Sequence, residues 1–144
     1  MDRKTLLTIR TLIPYIAPIR YNNPQFPEAY CDIVTSQITQ IHSIWIDGLP
    51  VSDVNGKVGT AYHFWLKHNN LNIDFTAHQF PQLAPYITEV DGFKVLFGSD
   101  AFLQSIGYRI ENDPGAYMAL FQASSEIQGG DHGDCRPVTH YCRN

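Results

Sequence analysis

The chain has 144 residues, of which 44% are hydrophobic, 12% aromatic and 17% charged. This composition is typical of one compact globular domain and excludes extended disorder, because a chain of this length can bury a single sizeable core. The formal net charge of -4 and the sequence pI near 5.8 argue against nucleic acid as a partner, since proteins that bind it carry clustered Lys and Arg on one face.

The first apolar run, TLLTIRTLIPYIAPI, is interrupted by Arg10 and Pro14. It is therefore too short for a membrane span or a signal sequence, and we expect no membrane partner. Its apolar residues at helical spacing predict an amphipathic helix over residues 4–17, which Pro14 kinks or divides. The expected location is the cytoplasm, or a target cell that the protein enters by a specialised secretion route.

A second helix is predicted after the Asn- and Pro-rich loop RYNNPQFPEAY. Pro27 suits the first turn of a helix that runs to about Ser43, so Cys31 lies in its first turns. Together with Cys135 and Cys142, Cys31 makes three cysteines, an odd number that does not indicate a disulfide framework. We therefore expect Cys31 to be either a buried structural thiol or a reactive one.

From IWIDGLPVSDVNGKVG onward, Asp-Gly and Asn-Gly pairs between β-branched residues predict turns and short strands. Strands are expected over residues 60–67 and 71–76, joined by a turn with two asparagines at its tip. The segment FKVLFG predicts another strand. The fold class is therefore α+β, with N-terminal helices packed on a short antiparallel β-sheet.

The remaining segments predict shorter elements. SDAFLQSIG indicates a helix with Ser99 as its N-cap and Gly107 as its C-cap. YRIEND is a weak strand or a loop, and DPGAYMALFQASSEIQGG predicts a helix with Pro114 near its start. We expect a single domain over residues 1–144, with an irregular C-terminal tail from about 130 to 144.

The hairpin YHFWLKHNNLNIDFT contains a histidine and an aspartate whose relation depends on the turn. With a two-residue turn at Asn69 and Asn70, His63 faces position 76, and Asp74 lies diagonally across on the same face, which Trp65 shares. A four-residue connection places His63 and Asp74 directly opposite, and a three-residue loop places them on opposite faces. In either even register, Asp74 can accept the imidazole N–H and fix its tautomer.

A base of this kind needs a nucleophile. The Cys31 thiol becomes a good one where a helix N-terminus and an imidazolium lower its pKa below the free value of ~8.5. Gln25 lies in the loop before the helix, where its amide could donate to an oxyanion beside the backbone N–H of Cys31. These residue types in this order predict a site for acyl transfer.

A cysteine at a helix start, followed by an HxW strand and an IDFTAxQF strand, resembles the papain-like and transglutaminase-like superfamily of Cys-His-Asp enzymes. The sequence is most similar to small bacterial and phage hydrolase or toxin domains of that superfamily. The matching stretches are PEAYCDIVTSQ and YHFWLKHNNLNIDFTAHQF, about a fifth of the chain. The Gly-Ser-Cys-Trp signature of papain-like proteases is absent, and the acidic Asp32 follows the cysteine.

The resemblance implies that Cys31 is the nucleophile, His63 the general base and acid, and Asp74 the carboxylate that orients the imidazole. It also implies a papain-like or transglutaminase-like core, with Gln25 as the oxyanion glutamine by its offset from Cys31. Trp65 is the expected wall of the substrate site.

The expected function is a cysteine hydrolase that acts without a cofactor on an amide or isopeptide bond of a protein or peptide, by way of a thioester. Proteolysis, deamidation and transamidation share these steps. Two alternatives stay open, an acyltransferase of the arylamine acetyltransferase type and a binding or inhibitor module of the same fold without catalysis. The sequence leaves the oligomeric state open.

Other polar and aromatic residues have simpler interpretations. His42 lies about three helical turns from Cys31, which is out of reach, and His68 and His78 are expected to face solvent. Trp45 and Phe64 are expected in the core or in the wall of the site. The tail carries chemically suitable zinc ligands, but their spacing does not match paired zinc knuckles, so no metal is expected; these are His132, Cys135, His140 and Cys142.

Overall fold

A computed structural model describes residues 1–116 of the chain. Its α-helices are α1 (Arg3–Asn22), α2 (Cys31–Ser36) and α3 (Asp100–Ser105). Its strands are β1 (Trp45–Ile46), β2 (Leu49–Pro50), β3 (Ser52–Val58), β4 (Ala61–His68), β5 (Leu71–Asp74), β6 (Thr88–Val90), β7 (Phe93–Gly98) and β8 (Tyr108–Ile110). A π-helical turn, Gln37–Ile41, extends α2, and 3₁₀ turns span Ala77–Gln79 and Pro81–Tyr86.

Six strands form one antiparallel sheet in the order β6-β7-β5-β4-β3-β8, and β1 and β2 form a separate hairpin. The predicted α+β class with an antiparallel sheet is confirmed. The two central strands, β4 and β5, carry His63 and Asp74. The predicted final helix, apart from its first residues, and the tail with its four candidate zinc ligands lie outside the described residues.

Helix α1 is longer than predicted and is not divided. Its N-terminus is capped by Asp2, whose Oδ1 accepts the backbone N–H of Thr5 at 2.7 Å. Pro14 and Pro18 both lie inside the helix, although each removes a backbone donor. The buried face of α1 packs in the core, through Ile9, Leu12 and Ile16, and this packing outweighs the cost of the prolines.

Helix α2 begins later than predicted. The segment before it is a series of turns. Pro27 lies in one of them, where its carbonyl oxygen accepts the backbone N–H of Tyr30 at 3.2 Å. The helix therefore starts at Cys31 itself, not at Pro27. Cys31 is 1% exposed.

The Asn55-Gly56 pair is not a turn, which corrects the prediction from the sequence. Both residues lie in the middle of β3, where Gly56 pairs with His63 of β4. The Asn55 side chain is occupied by the backbone of Asp113, accepting its N–H at 2.8 Å and donating to its carbonyl at 3.0 Å. A Cβ on Gly56 would lie 1.9 Å from the Arg109 carbonyl oxygen, so glycine is needed here for strand contact. The Asp-Gly turn at 47–48 is confirmed, with positive φ at both residues.

Helix α3 has the predicted N-cap, Ser99, but its C-cap is Ile106, one residue before the predicted Gly107. The Ser99 Oγ accepts the N–H of Phe102 at 3.1 Å, and Gly107 has a φ of 114°. The weak YRIEND signal contains a real strand, because Tyr108–Ile110 pairs with the edge of β3.

Alternating side chains of the sheet enter two separate clusters of buried residues. One, here called the α1/α2 cluster, joins the two N-terminal helices to the sheet and includes Ile9, Leu12, Ile16, Val34, Ile38, Leu66, Ile73 and Val95. The other, here called the α3 cluster, lies on the opposite face and includes Val54, Val58, Trp65, Ala77, Phe80, Leu83, Leu96, Leu103 and Tyr108. Because side chains alternate along a strand, His63 shares the face of Trp65, which is the face of the α3 cluster.

Candidate functional site

The β4–β5 hairpin has the register that a two-residue turn at Asn69 and Asn70 predicts. Leu66 pairs with Ile73 and His68 with Leu71, so position 63 faces position 76 and Asp74 is the diagonal neighbour. Asn69 has the left-handed φ of 57° that this turn requires. His63 Nε2 and Asp74 Oδ2 are 2.7 Å apart. The predicted His63–Asp74 contact is therefore present in the structure.

Asp74 is 1% exposed and accepts four hydrogen bonds. On Oδ2 they come from His63 Nε2 at 2.7 Å and the Tyr108 hydroxyl at 2.6 Å, and on Oδ1 from the backbone N–H and hydroxyl of Thr76 at 3.0 and 3.2 Å. Burial raises the pKa of Asp74, but the charge of His63 in its protonated form and the hydrogen-bond donors lower it more, so that the pKa of Asp74 lies below the usual value. The carboxyl is thus an ionised acceptor.

An ionised carboxylate can only accept, so Nε2 of His63 carries the proton and donates it. The other ring nitrogen, Nδ1, is buried and has no hydrogen-bond partner among residues 1–116. In the neutral imidazole Nδ1 therefore presents a lone pair, as the reactive nitrogen of a general base does.

Aromatic rings enclose His63, whose exposed fraction is 0%. The Trp65 ring is stacked at a centroid distance of 5.8 Å, and the Phe80 ring meets the imidazole edge-on at 4.9 Å. Trp65 itself donates from Nε1 to Asn72 Oδ1 at 2.9 Å. Trp65 thus lies on the face that the sequence predicts, and its indole is fixed against the imidazole.

Tyr108 is a member of the site that the sequence did not indicate. It lies in β8 at the far edge of the sheet and is 3% exposed. Burial first, and then the charge and hydrogen bond of Asp74, raise the pKa of Tyr108 well above its usual value, so the hydroxyl stays protonated and donates. No local motif marks this tyrosine, because its contact arises only when β8 pairs with β3.

Cys31 is disulfide-bonded in this structure, which corrects its description as a free thiol. It is the only cysteine among the described residues, since Cys135 and Cys142 lie beyond residue 116. Cys31 precedes Val34 by three residues, so both side chains lie on the same side of α2, and Val34 belongs to the α1/α2 cluster.

The structure shows no hydrogen bond from the Cys31 sulfur to Nδ1 of His63, the contact that the sequence analysis expected. Helix α2 packs along β4, but on the face of the α1/α2 cluster, whereas the imidazole points to the face of the α3 cluster. Successive side chains of a strand point to opposite faces of the sheet, so a helix contacts only one of the two sets. The sequence did not indicate which face of the sheet α2 covers.

Gln25 lies in the turn before α2, where its Nε2 donates to the Tyr30 hydroxyl at 2.8 Å. That hydroxyl in turn donates to Asn23 Oδ1 at 2.8 Å. The Gln25 amide is therefore engaged within the turn.

Three further expectations differ from the structure. His68 does not face solvent, because it is 4% exposed and its Nε2 lies 2.7 Å from the Ile46 carbonyl oxygen. His78 is half-buried, and its enclosed Nδ1 has no hydrogen-bond partner in the part of the chain that the structure describes. Trp45 is 61% exposed, so it is neither in the core nor in the wall of the site. Each of these differences in side-chain exposure arises from tertiary packing, which the local sequence pattern does not predict.

Within residues 1–116, no group of three or more His, Cys, Asp or Glu side chains is arranged to hold a metal ion. In the same part of the chain, no helix is both long and apolar enough to cross a membrane.

Comparison with known proteins found no matching family model, no similar curated protein and no similar solved structure.

Proposed function

We propose that the chain is a thiol-dependent hydrolase acting on an amide or isopeptide bond of a protein or peptide, with a papain-like or transglutaminase-like core. The observation that carries the proposal is the buried Asp74–His63 pair. In it Nε2 is hydrogen-bonded at 2.7 Å, and Nδ1 has no hydrogen-bond partner in the described part of the chain. An oriented imidazole with one lone pair available is the base that a thiol nucleophile requires.

In the proposed reaction His63 removes the proton from the reduced Cys31 thiol, and the thiolate attacks the carbonyl carbon of the substrate. The imidazolium then protonates the leaving amine, which gives a thioester on Cys31. Water, activated by the neutral imidazole, attacks the thioester and releases the acid. Asp74 stabilises the imidazolium, and Tyr108 and Thr76 hold Asp74. Protease, deamidase and transglutaminase-like activities share these steps.

The proposal sets two structural requirements. The Cys31 disulfide must be reduced, because a disulfide sulfur is not a nucleophile. The first turn of α2 must also move, so that the sulfur comes within hydrogen-bond distance of Nδ1. The active form is therefore a rearranged, reduced protein, in the cytoplasm or in a cell into which the protein is delivered.

A second candidate function is a binding or inhibitor module of the same fold without catalysis. Two observations favour it, the disulfide at Cys31 and the packing of Val34 in α2 on the face of the sheet opposite to the imidazole. In that case the Asp74 network only stabilises the fold. Buried hydrogen-bonded networks of this kind hold a unique core arrangement without any chemistry.

Acyl transfer to Cys31 separates the two functions. The chain with Cys135→Ser and Cys142→Ser keeps Cys31 as its only cysteine, so that Cys31 cannot form a disulfide within the chain. We expect p-nitrophenyl acetate to release a burst of nitrophenol from this variant and to acetylate Cys31, as located by mass spectrometry. Adding His63→Ala should slow acetylation by at least about 100-fold, the usual contribution of a general base.

The matched control is His42→Ala, at an exposed histidine that packs on Tyr15, which should leave the burst unchanged. If Cys31 is acetylated no faster with His63 than without it, while circular dichroism shows a folded protein, the hydrolase is excluded and the binding module is favoured.

A further inference from the structure

A pocket of about 360 Å³ lies between the C-terminal end of α1, the turn before α2 and the β6–β7 hairpin. It is separate from the His63–Asp74 pair and does not depend on the proposed hydrolase. Three basic side chains line it, those of Arg20, His78 and Lys94. Four apolar side chains complete the lining, those of Phe26, Pro27, Phe75 and Phe93.

The Arg20 guanidinium is held in place at the edge of this pocket. Its Nη1 donates to the Gly92 carbonyl at 2.8 Å, and its central carbon lies 3.7 Å above the centre of the Phe93 ring. The stacked, hydrogen-bonded guanidinium loses little further freedom when an anion binds, and it keeps several N–H donors for a planar carboxylate.

Lys94 supplies the second positive charge. It is exposed and lies opposite Glu89 across the β6–β7 pair, but among the ion pairs of residues 1–116 these two form none. The other nearby acid, Asp91, is paired with Arg10 at 2.9 Å. Glu89 thus partly offsets the charge of Lys94, and Arg20 and Lys94 together keep the pocket positive.

His78 completes the polar lining. Its Nδ1 is enclosed and has no hydrogen-bond partner among the described residues, and its ring lies 5.9 Å from that of Phe26. The pKa of His78 is lowered to about 4, mainly by burial and also by the charges of Lys94 and Arg20, against the opposing effect of Asp74. The neutral imidazole can donate one N–H to an anion.

The walls of the pocket are aromatic and mostly buried. Phe75 is 2% and Phe93 8% exposed, so they form a fixed apolar surface that an inorganic anion would not use. An anion attached to an apolar group gains binding free energy from both the basic and the aromatic side chains of the pocket.

We propose that this pocket binds a carboxylate carried on an aromatic or large apolar group, such as the C-terminal residue of a hydrophobic peptide. The carboxylate contacts Arg20, Lys94 and the His78 imidazole, and the apolar group lies against Phe26 and Phe75.

The test is an NMR titration of the full chain with 3-phenylpropanoate as the probe. We expect chemical-shift changes at Gly92, Lys94 and His78 and a rise in the pKa of His78, because a bound anion stabilises the imidazolium. The neutral 3-phenylpropanamide and inorganic phosphate should each bind at least about tenfold more weakly, since each lacks one half of the interaction.

Lys94→Gln should weaken 3-phenylpropanoate binding about tenfold, and this exposed position tolerates the change without loss of fold. Arg109→Gln, at an exposed cation on the far edge of the sheet, is the matched control and should leave binding unchanged. The proposal is overturned if no shifts occur, if the amide or phosphate binds as tightly as the carboxylate, or if Lys94→Gln has no effect.

Discussion

Asp74 illustrates how a buried charge is made tolerable. A carboxylate that is 1% exposed is costly unless its acceptor sites are filled, and here both oxygens accept two hydrogen bonds each, from His63, Tyr108 and Thr76. The result is a rigid acceptor for the imidazole N–H. Removing any donor leaves part of the charge uncompensated.

Tyr108→Phe removes one of those donors without changing the shape of the ring. We expect the free energy of unfolding to fall by about 1.5–3 kcal/mol, the range for a hydrogen bond to a charged group. Urea denaturation followed by tryptophan fluorescence measures this change. Tyr86→Phe, at a tyrosine that is 42% exposed and packs on Phe102, is the control and should cost less than about 0.5 kcal/mol. Equal effects of the two substitutions would contradict the role of Tyr108.

His78 makes stability depend on pH. Its folded-state pKa is about 4, below the value of about 6.5 in the unfolded chain, so between these values the unfolded chain binds more protons. Stability therefore falls as the pH drops from about 6.5 towards 4. Because His78 is only half-buried, solvent screening limits the loss to about 1–2 kcal/mol.

Urea denaturation at pH 7 and at pH 4.5 measures this loss, and His78→Gln should reduce it. His42→Gln, at an exposed histidine, should leave it as in the unmodified protein. An identical pH dependence with and without His78 would show that the imidazole is not held neutral by burial.

At the scale of elements, the site depends on strand pairing at Gly56. It faces His63 across β3 and β4, and a Cβ there would lie 1.9 Å from the Arg109 carbonyl oxygen of β8. Gly56→Ala should therefore separate β8 from β3 and withdraw Tyr108 from Asp74, at a cost of more than about 3 kcal/mol.

Hydrogen exchange of the β8 amides, together with the melting temperature, tests this prediction. Ser52→Ala, at the exposed start of β3, serves as the control and should change neither. Unchanged protection of β8 in the Gly56→Ala protein would mean that the sheet tolerates a side chain at this position.

The hairpin could be predicted from the sequence because its register is local. Two asparagines that accept the left-handed backbone, between strands of β-branched and aromatic residues, are sufficient to set the pairing of His63 and Asp74. The middle of β3 could not be predicted, because Asn55 bonds to Asp113, 58 residues away. Its Asn-Gly pair has the local chemistry of a turn, and tertiary contacts make it a strand.

At the scale of the fold, the sheet separates two groups of buried residues within the described residues 1–116. Which face a helix covers is decided by long-range packing, so the position of α2 relative to His63 could not be read from spacing. The order of Cys31, His63 and Asp74 along the chain is compatible with catalysis. The packing of α2 on the face opposite to the imidazole is compatible with a purely structural histidine. The chemistry of Cys31 in the reduced protein distinguishes these two cases.

The most direct test of the proposed site is the pH dependence of Cys31 alkylation by iodoacetamide, in the variant with Cys135→Ser and Cys142→Ser. We predict a reactive plateau that begins well below pH ~8.5, the value for a free thiol, and that His63→Ala abolishes. A single rise near pH ~8.5 or above, unchanged by His63→Ala, would contradict the assignment of His63 as the base for Cys31.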